Sequence, residues 1–465
     1  MTQKQAFNIL KLGHNVFLTG PPGSGKTFLI EKYINYLKKK KVRIGITAST
    51  GIAATHINGI TINSWSGLRV IEDGMQENQI NSRIKSILQK KNLHARISKT
   101  RTLIIDEISM LDARYLDLVD RVCQAVKQNA LPFGGLQILL SGDFFQLPPV
   151  SKGLIKKEFA YFSSVWRKAA LKICYLDEQH RHTDQNYIKI LNAIRKNNIK
   201  RETLEALKSR MNQPINSPLA ATKLYTTNFQ VDAINQYELS RLSGGKKVYK
   251  MNSGCKKGNE AILRQLMSNS IIPQVLGLKK GAVVMFIKNN FDDSGVNRYV
   301  NGTLGKVIGF TEETKYPIVK TADEREITAF PRKWSIEDDG VDLAWVNQIP
   351  LRLAWSITVH KSQGMSLDEA IIDLSNTFEY GMGYVALSRV CSLSGMCLLG
   401  LNRLAVQVNP EIVELDKKFI YESDKVKTAL DSMSKREIKK GQKEFVKSVV
   451  KKSERRDVFD QVFDR

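Results

Sequence analysis

No stretch of this sequence stays apolar for the roughly 18–20 residues that a membrane-spanning helix needs, so a soluble protein is expected. Cysteine is scarce and scattered. The five (Cys123, Cys174, Cys255, Cys391 and Cys397) form no CxxC pair, which argues against zinc and iron–sulfur sites and for a reducing compartment. There is no internal repeat, no low-complexity tract and no signal peptide: Lys4 and Lys11 bracket a short mixed stretch before a strand begins. A cytoplasmic location is expected. Acidic residues are outnumbered, 46 against 71 Lys plus Arg, giving a net charge of +25. A field of that sign points to a polyanion, either nucleic acid or an anionic membrane surface. Without a membrane segment, nucleic acid is the better reading.

What is present is enough chain for two to four domains: 465 residues, 42% of them hydrophobic. Val16-Phe17-Leu18 reads as a buried strand, followed by a glycine loop and a helix with apolar Leu29, Ile30, Ile34 and Leu37. Further short apolar runs at 43–47, 102–105, 138–140 and 173–176 alternate with helical stretches. Such continuous runs suit strands buried on both faces of a parallel sheet, so residues 1–180 read as α/β. Polar residues 68–98 form either a small insertion or a long loop, the insertion being favoured. A second α/β segment covers 181–280 and 351–402, with strands at 224–227, 351–356, 370–374 and 396–399. Between them, 281–350 reads as a small β-barrel, with Asn301-Gly302 as a hairpin turn. Residues 403–465 form a basic helical extension whose Ile438, Phe445 and Val449 lie near helical spacing.

Gly20-Pro21-Pro22-Gly23-Ser24-Gly25-Lys26-Thr27 fits the phosphate-binding G-x-x-x-x-G-K-[ST] pattern, between a strand and a helix as that pattern requires. Its backbone N–H groups would wrap the phosphates of ATP, Lys26 would neutralise them, and the Thr27 hydroxyl would bind Mg²⁺. The strand Leu103-Ile104-Ile105 ends in Asp106, suited to the metal, and Glu107, suited to polarising the attacking water. After the next strand, Gln146 offers an amide to sense the γ-phosphate. Arg181 and Arg389 are candidates for stabilising transition-state charge.

Together these residues resemble superfamily 1 helicases, specifically the Pif helicases of its 5′→3′ branch. Thr2-Gln3-Lys4-Gln5 looks like an adenine-reading motif with Gln5 the best match. Thr47–Ala54 and Gly59–Trp65 match the segment that touches single-stranded DNA. Asp117–Gln137, ending Pro132-Phe133-Gly134-Gly135-Leu136-Gln137, looks like the family's signature segment. Val359–Gly364 matches the later motif that links DNA to nucleotide state, with Gly364 at the nucleotide.

The resemblance implies two RecA-like domains, 1–180 and 181–280 with 351–402, with ATP between them and DNA across their top. It also implies a wedge insertion at 68–98 and an SH3-like barrel at 281–350. Thr50, Gly51, Ser64, Thr358, His360 and Lys361 are the implied DNA grip. Trp65 either stacks on a base or packs inside its domain. Asn63 stands where the family usually has His, and His180 and His182 flank Arg181 where it has an aromatic and a Gln. The implied activity is an ATP-dependent helicase that moves 5′→3′ on single-stranded DNA and opens duplexes with a 5′ tail, acting as a monomer. Forks, R-loops and G-quadruplexes are candidate substrates. The alternative is a translocase or RNA remodeller that never separates strands.

Overall fold

The computed structural model describes residues 1–68, 76–149, 157–182, 184–215, 222–269, 272–288, 290–291, 297–299, 302–321, 323–338 and 341–463. It is an α/β protein, as expected, in two compact units. Unit 1 comprises residues 1–144, 148–180 and 414–465; unit 2 comprises 145–147 and 181–413.

Unit 1 is built on a six-stranded parallel sheet, ordered Ile60–Thr61, Ile44–Ala48, Thr102–Asp106, Gln137–Ser141, Val16–Thr19, Lys172–Tyr175. The inner strands Val16–Thr19, Thr102–Asp106 and Gln137–Ser141 are buried along their length, which is why they read as unbroken apolar runs rather than alternating ones. Helix Lys26–Lys39 follows the first strand and buries Leu29, Ile30, Tyr33, Ile34 and Leu37 against the sheet. The polar stretch after Leu68 contains two helices, Glu77–Gln89 and Lys91–Lys99, the first anchored by buried Ile80, Ile84 and Ile87. Residues 69–75 of that stretch lie outside the described residues.

The basic C-terminal extension divides. Helix Pro410–Asp431 carries Phe419 into unit 1, its ring centroid 5.2 Å from that of Phe17. Helix Lys435–Phe463 lays Phe445 against Gly13, and Ile438, Phe445 and Val449 pack on the same core as Leu10 and Leu37. The tail thus docks through its apolar stripe and leaves Lys439, Lys443 and Lys447 exposed.

In unit 2 a four-stranded parallel sheet runs Ser356–Thr358, Thr222–Tyr225, Ala370–Leu374, Met396–Leu401. An antiparallel five-stranded sheet joins Glu326–Thr328, Pro317–Thr321, Leu304–Phe310, Val283–Phe286 and Leu351–Leu353. The single strand expected at 351–356 is therefore two: Leu351–Leu353 closes the antiparallel sheet, and Ala354–Trp355 lead into Ser356–Thr358 of the parallel one. The β-rich region also begins earlier than residue 281, because Asn252–Cys255 pairs with Val341–Gln348 and Lys247–Lys250 with Val275–Leu278. Asn301 of the expected hairpin turn lies outside the described residues; Gly302 has φ +96°.

Candidate nucleotide and DNA site

The first candidate site forms at the C-terminal edge of the unit 1 sheet, where parallel α/β sheets bind ligands. The loop Gly20–Gly25 leaves the end of strand Val16–Thr19, and three of its glycines hold positive φ (Gly20 +141°, Gly23 +84°, Gly25 +83°). A Cβ at Gly20 would meet the Leu176 carbonyl at 2.5 Å, so the loop closes tightly only with glycine there. Lys26 Nζ folds back to donate to Gly20 O at 2.7 Å and Pro21 O at 3.1 Å. Ser24 Oγ is buried within this loop without a hydrogen-bond partner. His180 N donates to Gly23 O at 2.9 Å and holds the loop from the far side.

Asp106 ends strand Thr102–Asp106, which Gln137–Ser141 separates from the P-loop strand, and it is buried. Burial raises its carboxyl pKa, opposed by a hydrogen bond from the Glu107 N–H (3.0 Å) and by the nearby Lys26 charge. A cation would stabilise a carboxylate that burial penalises in this way, and Asp106 and the Thr27 hydroxyl are the oxygens expected to hold Mg²⁺. Glu107 adopts a left-handed backbone (φ 53°, ψ 47°), a strained conformation of the kind that collects at functional sites. Ser49 secures it: Ser49 Oγ donates to Glu107 O at 2.7 Å, and Ser49 N donates to Asp106 O at 3.1 Å. The next residues are Thr50, whose Oγ1 accepts from Ala53 N, and Gly51, which opens helix Gly51–His56. The expected DNA-contact segment is therefore bonded directly to the expected catalytic acid.

Unit 2 holds the candidates from Gln146 onward, Gln146 itself included. Gln146 is buried, and its Oε1 lies 3.5 Å from Gln363 Nε2, so the γ-phosphate candidate meets the later motif. Arg181 Nη1 donates to Ser388 O at 3.2 Å. Gly364 is exposed with φ +80°. Lys361 and His360 are half-buried, and burial lowers both pKa values; for Lys361, the Arg352 charge adds to the effect.

A protein-family model described as PIF1-like helicase matches residues 1–205. A curated ATP-dependent DNA helicase Pif1 from Psychrobacter is 40% identical, over 96% of this chain and 75% of its own length. The chain belongs to the PIF1-like helicase family. A second curated relative, from Bdellovibrio bacteriovorus, is 32% identical over 90% of this chain and 91% of its own. The crystal structure of Pif1 helicase from Candida albicans superposes with a TM-score of 0.70 at 36% identity, covering 90% of this chain and 98% of that one. The Bacteroides Pif1 structure in complex with ADP-AlF3 and single-stranded DNA gives 0.60 at 28%, covering 91% and 97%. As a family member with a complete P-loop, this chain is an ATP-dependent DNA helicase of RecA-like architecture.

Four of the candidate residues are held in packing or bonding arrangements of their own. Gln5, expected to read adenine, instead closes a capping box with Thr2 and donates to Asp431 Oδ1 at 2.9 Å. It is Gln3 that reaches the P-loop, its Nε2 donating to Ser24 O at 3.3 Å. The T-x-x-Q spacing from Thr2 to Gln5 fits a capping box, but the sequence alone does not choose between that and a nucleotide contact. Trp65 is 2% exposed and packs edge-on over Gly45, where a Cβ would meet its Nε1 at 2.8 Å. It is a core residue, and only glycine at 45 leaves room for it. Thr358 is buried too, and its hydroxyl accepts from Lys361 N, shaping the turn beneath His360 and Lys361 rather than facing outward. Arg389 is 2% exposed and tied inside unit 2: Nε to Val385 O, Nη1 to Met365 O and Nη2 to Ser388 Oγ. A phosphate can engage Arg389 only by replacing those bonds. Ser64, by contrast, is half-buried, its carbonyl accepting from Arg96 Nη2 at 3.0 Å.

Proposed function

We propose that ATP hydrolysis drives this helicase 5′→3′ along single-stranded DNA, opening duplexes that carry a 5′ tail. The observation that carries the coupling is the pair of bonds from Ser49 to the Asp106 and Glu107 carbonyls. They join the DNA-contact segment at Thr50 and Gly51 to the acid that faces the attacking water. In this reading the P-loop amides of residues 20–27 cradle the phosphates, Lys26 exchanges its two carbonyl partners for phosphate oxygens, and Glu107 orients water. Gln3 is the base-side contact. Thr27 and Asp106 would hold Mg²⁺, which when bound neutralises phosphate charge. Gln146 senses the γ-phosphate and passes its state to Gln363 in the motif that contains His360 and Lys361. Arg181 and, after release from the bonds that hold it, Arg389 stabilise the transferring phosphoryl group.

The grip on DNA falls to Thr50, Gly51, Ser64, His360 and Lys361, through phosphate contacts that are independent of sequence and weakened by salt. A His360 held neutral by burial contacts the strand as a hydrogen-bonding group rather than as a cation. The enzyme works as a monomer in the cytoplasm, on the nucleoid if the source is bacterial; the dispersed free thiols suit that compartment.

Duplexes carrying either a 5′ or a 3′ tail, given to the protein with ATP and Mg²⁺ beside a Lys26→Ala control, test the proposal. Opening from the 5′ tail alone, absent in the control, is expected. Opening from the 3′ tail overturns the polarity. DNA-stimulated ATP hydrolysis with neither duplex opened favours a translocase that does not separate strands.

A further inference from the structure

With Trp65 buried, the ring that the sequence offers to the bases of a single strand is withdrawn, yet unit 2 exposes another. Phe229 is 86% exposed, and no large apolar side chain among the described residues is more so. A lone apolar residue at a surface needs no explanation by itself. The place of this one does.

Strand Thr222–Tyr225 ends at the C-terminal edge of the unit 2 parallel sheet, and helix Asn228–Arg241 begins three residues later. Tyr225 pairs with Thr358 of the edge strand, and Val359 N donates to Tyr225 O at 2.9 Å. His360 and Lys361 therefore leave the sheet beside the segment that leads to Phe229. The helix is locked against the edge strand: Asn235 Nδ2 donates to Ser356 O at 2.8 Å, Ser356 N to Asn235 Oδ1 at 3.0 Å, and Ser356 Oγ to Val231 O at 3.0 Å. From Asn235 back to Phe229 is six residues, roughly 9 Å of helix, in the direction in which the strand runs towards His360. Burial and the Arg352 charge lower the Lys361 pKa, and Asp232 opposes them. Asp232 lies one turn beyond Phe229 on the same face of the helix, so that face borders Lys361.

Phosphate contacts through His360 and Lys361 carry no information about the bases. A ring does, because stacking needs an unpaired base and accepts any of the four. We propose that Phe229 is the base-stacking residue of the single-strand track, its ring packed on an unpaired base whose backbone His360 and Lys361 hold. The proposal rests on the grip assigned to those two residues above. It adds selection for unpaired bases, through a contact that salt does not screen.

Fluorescence anisotropy with the full chain tests this, using labelled oligo-dT and a strand of equal length made of abasic sites, over a range of salt concentrations. The Phe229 ring is exposed, so Phe229→Ala and Phe229→Trp preserve the fold. Phe229→Ala should weaken oligo-dT binding at least fivefold, the lower end of what one base–aromatic stack contributes, with the salt dependence unchanged. It should leave abasic binding as it was, and Phe229→Trp should keep the wild-type affinity for oligo-dT. Lys361→Ala should weaken both strands and flatten the salt dependence. Wild-type affinity of Phe229→Ala for oligo-dT, or an equal loss on the abasic strand, overturns the stacking contact while a response to Lys361→Ala leaves the grip standing. Self-association of the wild type that Phe229→Ala abolishes, with strand affinity unchanged, gives the ring to a second copy and also overturns it. Indifference of both strands to Lys361→Ala overturns the grip, and the stacking contact with it.

Discussion

Replacing Ser49 with alanine isolates the link between DNA contact and catalysis. Ser49 Oγ donates to Glu107 O at 2.7 Å, and Glu107 holds a left-handed backbone that costs a non-glycine residue about 1–2 kcal/mol. One such hydrogen bond contributes about 1 kcal/mol net. Its loss removes much of what offsets the strain and moves the balance between held and relaxed Glu107 by a factor of about five. The P-loop is untouched. Steady-state ATP hydrolysis should therefore show kcat down about fivefold with KM for ATP unchanged, and Ser49→Thr, which keeps the hydroxyl, should recover most of it. A Ser49→Ala enzyme with wild-type kcat would refute the reasoning, because Glu107 would then hold its conformation without the Ser49 hydroxyl.

Gln3→Ala should raise KM for ATP while Gln5→Ala leaves it unchanged and lowers stability by about 1 kcal/mol, the usual loss of a cap; ATP titrations and thermal melts separate the two. Trp65→Ala should cost about 3–5 kcal/mol in denaturant unfolding while the folded fraction binds single strands with unaltered affinity; weakened binding by folded protein would return Trp65 to the DNA. Burial and the adjacent Arg181 push His182 down to about 4. Below the unfolded value near 6.5 the unfolded chain takes a proton that the folded one refuses, so stability falls as pH drops from about 6.5 towards 4. His182→Gln should flatten melting temperature over that window, and an unchanged slope would assign the effect elsewhere.

Much of this arrangement is legible in the sequence because it rests on local pattern. Buried parallel strands announce themselves as unbroken apolar runs, and the P-loop and Asp106-Glu107 carry their chemistry in consecutive residues. What escapes depends on contacts far apart in the chain. Gln5 and Gln3 differ by two positions, and only the approach of Asp431 and Ser24 to the first helix assigns their roles. Trp65 reads equally as a base-stacking or a packed ring until Gly45 is seen beneath it. Arg389 is an arginine in a helicase motif by sequence, yet Met365, 24 residues away, is among the groups that hold its guanidinium. The strand at 351–356 divides because Leu351–Leu353 finds Val283–Phe286, a partner no local pattern names.

The chain's path through unit 1 also orders events during synthesis. The core beneath the P-loop helix includes Leu430, and Phe419 fits against Phe17, but these residues follow the whole of unit 2. A nascent chain emerges at about 5–20 residues per second. For the tens of seconds spent making residues 181–413, the phosphate loop rests on an unfinished hydrophobic base. The nucleotide-binding unit can complete its packing only after its partner unit has been made, so a ribosome that stalls midway releases no finished, freely running ATPase.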